Sequence, residues 1–161
     1  MRCVRSLLAI IILSSTFVAA QRQLTLDPKL YDPSVDARKE IASSLREAKS
    51  DHKRVILVFG GNWCFDCHVL NYWFHQPGIV EIVDDNYHVV HVDIGQFDKN
   101  IDLTEKYGVN IKKGVPAISI LGSDGKLLYG DKNGEFEKAR SMNPNDIVAF
   151  LQKWKPTKSS K

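Results

Sequence analysis

The sequence predicts a single α/β domain with a mixed central sheet, and two observations carry the prediction. Segments with helical spacing alternate with short β-branched runs in the order α-β-α-β-α-β-β-α, and the last two runs flank a tight turn at Asp124-Gly125. A helix between strands implies parallel pairing, whereas a hairpin adds an antiparallel strand, so the sheet is expected to be mixed. With 161 residues, the chain has room for one domain and a targeting segment.

The first helix begins at Asp36. In DARKEIASSLREAKSDHK, Ala37, Ile41, Leu45 and Ala48 fall on one face with charges elsewhere. RVILVFGG follows as a buried strand, apolar from Val55 to Phe59 and closed by Gly60-Gly61. Asn62 to His75 holds two cysteines and then the helix-like run VLNYWF, which stops before Pro77. IVEIVDDN adds a helical turn or two. YHVVHVDI is the second strand, and DKNIDLTEKYGV a short helix ending near Gly108. VPAISIL and KLLYG form the hairpin around Asp124-Gly125. NPNDIVAFLQKW is the last helix, with Asn143 as cap, Pro144 first in the helix, and Ile147, Phe150, Leu151 and Trp154 as its apolar stripe.

Residues 1–20, MRCVRSLLAIIILSSTFVAA, read as a signal peptide. Arg2 and Arg5 precede an apolar stretch, and Val18-Ala19-Ala20 is a small-residue cleavage site. The apolar run is short of the roughly 18 residues a spanning helix needs, so a soluble exported protein is expected, in the periplasm ahead of the extracellular space. Residues 21–35, with two Asp-Pro steps, read as an arm lying over the domain; residues 36–155 as the domain; residues 156–161 as a disordered tail. Cleavage would lower Lys plus Arg from 22 to 20 against 19 acids, a net charge of about +1. That balance argues against nucleic acid or an anionic membrane as main partner.

Of three cysteines, Cys3 lies in the leader, leaving Cys64 and Cys67 in GGNWCFDCHVL. C-x-x-C reads as a dithiol redox pair, C-x-x-C-H also as a c-type haem attachment, and the same cysteines could begin a zinc site. The haem reading needs an axial ligand (Met142, His75, His88 or His91) and a pocket that a chain of alternating strands and helices leaves little room for. For zinc, Cys64, Cys67 and His75 offer three ligands but no second close pair. His68 and His75 are expected on the helix surface; His52, His88 and His91 on the surface or in strands. No metal and no cofactor beyond the dithiol is expected. A cysteine at a helix N-terminus meets free N–H groups and the positive end of the dipole, which favours the thiolate. Cys64 is therefore the expected attacking thiol, and Cys67, one turn on, the resolving one.

A strand running into Trp63-Cys64-Phe65-Asp66-Cys67, then Lys106-Tyr107-Gly108-Val109 and Gly114-Val115-Pro116, resembles the thioredoxin superfamily, and more narrowly the thioredoxin-like thiol-disulfide proteins of the bacterial envelope. The resemblance implies a thioredoxin-like three-layer α/β/α fold. It also implies a cis Pro116 beside the dithiol, with the backbone of Val115 free to pair with a substrate and Trp63 shielding the cysteines. Two departures stand out. Thioredoxins keep a buried acid six positions before the first cysteine, where this chain has Val58. Asp66 is unusual between the cysteines: it opposes a Cys64 thiolate, supplies the missing relay base, or only charges the first helical turn.

The expected function is an exported thiol-disulfide oxidoreductase. It would be monomeric, exchange disulfides with protein thiols or disulfides, and be recharged by a separate redox partner. Asp66 tilts the direction toward reductase or isomerase over oxidase. The alternative from another class is a thioredoxin-fold binding or chaperone module without redox turnover.

Overall fold

The computed structural model describes residues 24–157; the leader, the first residues of the arm and the last four of the tail lie outside the described residues. Five helices and four strands follow one another as α1 (Ala37–Asp51), β1 (Arg54–Gly60), α2 (Phe65–Phe74), α3 (Val80–Asn86), β2 (Tyr87–Asp93), α4 (Ile101–Lys106), β3 (Ala117–Leu121), β4 (Leu127–Gly130) and α5 (Pro144–Trp154). Single 3-10 turns at Ile111–Lys113 and Ala139–Ser141 precede β3 and α5.

Local chemistry fixes the helix ends. The Asp36 carboxylate accepts the N–H groups of Arg38 and Lys39 at the start of α1, which ends where His52 turns left-handed at φ 61°. Asn143 caps α5 by accepting from Asn145, with Pro144 at the first helical position.

The sheet order is β2-β1-β3-β4. β1 is central, with Leu57 opposite Val90 of β2 and Ser119 of β3. It is buried on both faces, which explains its unbroken apolar run. Val55, Leu57 and Phe59 point to the side holding α1 and α4 and pack with Ile41, Ala48, Leu103 and Tyr107. Ile56 and Val58 point to the other side, among Leu70 and Phe74 of α2, Val83 of α3, and Ile147 and Leu151 of α5. The fold is thus a mixed sheet between two helical layers.

One pairing differs from expectation. β1 and β2 are parallel, joined through α2 and α3, but β3 runs antiparallel to β1 although α4 lies between β2 and β3. α4 has only six residues. It is too short to carry the chain back along the sheet as a full crossover does, so the chain re-enters from the end at which β2 leaves.

The arm is also more than a cover. Tyr31 is 1% exposed, inside the cluster formed by α1, Phe59 and Val92. Lys99 ties the neighbouring turn down, donating to the carbonyl of Pro33 at 2.8 Å and to Asp93 at 2.9 Å.

Candidate functional site: a dithiol between the central strand and the second helix

β1 delivers the chain to Gly60-Gly61, a turn closes through Cys64 N–H to the Gly61 carbonyl at 2.9 Å, and α2 begins. Cys64 is the N-cap of α2, and its sulfur accepts the Cys67 N–H at 3.1 Å. The two cysteines form a disulfide, Cys64 at 6% exposure and Cys67 fully buried. Once the disulfide opens, a thiolate on Cys64 would meet that N–H and the positive end of α2, both of which stabilise it as nucleophile or leaving group.

The loop before β3 supplies the opposite wall. The Val115-Pro116 bond is cis, and the Val115 carbonyl oxygen lies 3.5 Å from the Cys64 sulfur. Trp63 is 46% exposed, yet fixed: its indole N–H donates to the Gly95 carbonyl at 2.7 Å and its ring meets Phe97 at 5.4 Å. Gly61 makes this possible, because a Cβ there would come within 2.6 Å of the indole nitrogen. Phe97 (47% exposed) and Phe65 (43%) extend the apolar rim. The structure thus gathers Trp63, Cys64, Cys67, Val115 and Pro116 in one place.

Asp66 points elsewhere. Its Oδ1 accepts from the backbone N–H of Arg140 at 2.9 Å and from Nε at 3.0 Å, and its Oδ2 from Nη2 at 2.5 Å. The Arg140 guanidinium also stands 5.0 Å over the Phe65 ring, so both residues between the cysteines hold one cation. Arg140's hydrogen bonds keep the Asp66 carboxyl below the usual range against the opposing effect of burial. A carboxylate held this way is directed to Arg140 and disfavours taking up a proton. Its charge reaches Cys64 only together with that of Arg140.

On the inner side of the dithiol, the Asn62 side chain grips the arm: Oδ1 accepts the Tyr31 N–H at 2.9 Å and Nδ2 donates to the Tyr31 carbonyl at 2.8 Å. His68, expected on the helix surface, is instead 4% exposed, with Nε2 2.9 Å from the Asn62 carbonyl oxygen. The Asn62 carbonyl meets the first turn of α2 here, so a residue off the apolar stripe is still covered. Gly60 packs against both groups on this side. A Cβ there would lie 2.5 Å from the Cys67 sulfur and 2.7 Å from the Tyr31 hydroxyl oxygen. The sequence marked none of Tyr31, Asn62 or Arg140. Only Asn62, inside the motif, carried a local signal.

Among the described residues, no group of three His, Cys, Asp or Glu side chains is placed to hold a metal ion, and no helix is long and apolar enough to cross a membrane. A dithiol at the first turn of the helix that follows the central strand, in this fold, defines a thiol-disulfide oxidoreductase. The chain belongs to the thioredoxin-like family, which it matches over residues 36–123. Among solved structures it is similar to a disulphide isomerase from Xylella fastidiosa Temecula1, with 37% identity, TM-score 0.72, and coverage of 76% of this chain and 94% of that one. The C-terminal domain of DsbD from Neisseria meningitidis in the oxidised form shares the fold, at 20% identity, TM-score 0.53, and coverage of 75% and 97%. No curated protein matches the chain.

Proposed function

We propose that this protein is exported to the periplasm, where it exchanges disulfides with protein substrates through Cys64 and Cys67 in the isomerising or reducing direction, and is recharged by a separate redox partner. The observation that carries the reading is the Cys64 sulfur at the N-cap of α2, receiving the Cys67 N–H at 3.1 Å and facing the Val115 carbonyl at 3.5 Å. A Cys64 thiolate attacks a substrate disulfide, giving a mixed disulfide and releasing the substrate's other sulfur. Cys67, fully buried one turn on, then attacks Cys64 and frees the substrate. Val115, next to Pro116, offers its backbone to an extended substrate segment, and Trp63 offers an apolar edge.

The likeness to a disulphide isomerase supports the direction, now that Asp66 is balanced by Arg140. The leader-like composition of residues 1–20 supports export. A second reading, a binding module that holds clients without redox turnover, draws on the exposed Trp63, Phe65 and Phe97.

Two variants separate these readings. Cys67→Ser leaves Cys64 free to attack and accumulates mixed disulfides that dithiothreitol releases, whereas Cys64→Ser captures none and has no exchange activity. Client capture that survives Cys64→Ser unchanged would establish the binding module instead. The reduction potential of the pair reports direction: near about −270 mV it is a reductant, near about −120 mV an oxidant.

A further inference from the structure

The geometry points to the Tyr31 hydroxyl as the hydrogen-bond donor to the Cys67 sulfur when the Cys64–Cys67 disulfide opens, which makes the N-terminal arm part of the active site. The inference rests on the thiol-disulfide reading above and supplies its inner side.

Tyr31 is 1% exposed, and its hydroxyl meets no hydrogen-bond partner among the described residues. A buried polar group left unpaired costs on the order of 1–3 kcal/mol, so its position calls for an explanation. The oxygen and the Cys67 sulfur flank one point, the place a Gly60 Cβ would occupy, at 2.7 and 2.5 Å, so they line the same small space. The absence of a side chain at Gly60 is what lets them do so. No carboxylate of the described residues is hydrogen-bonded to Cys67: Asp66 is turned to Arg140, and Val58 is apolar and packs on the α2 side of the sheet. Burial, and secondarily the negative Asp93, holds the phenol proton on well above the ordinary range. The group thus keeps its proton and acts as a donor.

A disulfide sulfur is a weak acceptor, whereas a thiolate is a strong one. The hydroxyl, without a partner in the disulfide state, is engaged once charge develops on the sulfur beside it. An incoming thiolate forms a bond to the Cys64 sulfur, the Cys64–Cys67 bond breaks, and its electron pair leaves on the Cys67 sulfur. Tyr31 donates a hydrogen bond to that thiolate and keeps its proton. In reverse, the same bond stabilises Cys67 as the thiolate that attacks Cys64 and expels the partner's sulfur. Stabilising the leaving thiolate speeds exchange.

Tyr31→Phe removes only the oxygen. Asn62 holds Tyr31 by its backbone, and the ring's edge-on contact with His91 at 5.2 Å does not use the hydroxyl. The test is stopped-flow opening of the disulfide by dithiothreitol, followed by tryptophan fluorescence at constant pH. The wild-type disulfide opens readily; one that resists dithiothreitol would defeat the oxidoreductase reading itself. With the wild type reactive and the variant shown folded by near-UV circular dichroism, Tyr31→Phe slows opening roughly fivefold or more. A smaller change overturns the inference. Should Tyr31→Phe not fold, 3-fluorotyrosine at position 31, a slightly larger and more acidic donor, accelerates opening; an unchanged or slower rate overturns the inference equally.

Discussion

Asp66 and Arg140, 74 positions apart, form a two-oxygen ion pair that fastens the turn before α5 to the first turn of α2. The acid between the cysteines is thereby half of a neutral unit, and its two halves act on Cys64 with opposite sign. Arg140→Met leaves an unbalanced carboxylate and raises the Cys64 thiol pKa. Asp66→Asn leaves an unbalanced guanidinium and lowers it. The two shifts are opposite in sign, and the double variant returns close to wild type. Thiolate absorbance titrations of the reduced proteins check the signs; shifts in the same direction would count against the pair as a balanced unit.

Asn62→Ala should cost about 2 kcal/mol, because it leaves the Tyr31 backbone N–H and carbonyl unpaired in a half-buried setting. Denaturant melts give the loss. Faster amide exchange at Tyr31 with slow exchange retained in β1 would identify the arm as what comes loose, whereas uniform acceleration would mean Asn62 supports the whole fold.

Gly60→Ala forces a methyl group into the space shared by the Cys67 sulfur and the Tyr31 hydroxyl, and should destabilise by about 1–3 kcal/mol. Removing the oxygen relieves part of the clash. In a double-mutant cycle with Tyr31→Phe, the combined loss should therefore fall short of the sum by at least about 0.5 kcal/mol. Strict additivity in thermal or chemical melts would show that the three groups do not share the space.

His91, half-buried beneath the Tyr31 ring, has its pKa pushed down to about 4, chiefly by burial and further by His75 and His68, against the opposing pull of Asp27. The unfolded chain takes up a proton near pH 6.5 that the folded chain refuses until about pH 4. The stability tied to neutral His91 is therefore full above pH 6.5 and lost as pH falls through 4. Between these limits wild type should lose on the order of 2 kcal/mol more than His91→Gln, read from melting curves across that range. Parallel curves for the two proteins would show that burial does not hold the imidazole neutral.

What the sequence revealed and what it withheld divide along chain distance. The buried run Val55–Phe59, the Asn143-Pro144 start of α5 and the cysteines at a strand-to-helix junction are local patterns, each readable within one element. The direction of β3 depends on whether a six-residue helix suffices as a crossover, which periodicity does not measure. His68 reads as a surface residue because a helical wheel knows only the face toward the sheet, and here the Asn62 loop covers another. Arg140 and Tyr31 are ordinary residues in ordinary segments. Their roles arise from partners 74 and 31 positions away.

The likeness to the family starts at residue 36, yet Tyr31 already fills the core. The stretch that matches the family and the stretch that builds the core are thus not the same length in this protein. A fragment cut at Asp36 would keep every recognised motif and lose the residue that closes the inner side of its disulfide. Grafting this site onto a related scaffold would require carrying over residues 30–35 together with Gly60 and Asn62, since Asn62 holds the Tyr31 backbone and a side chain at position 60 would meet the Tyr31 hydroxyl.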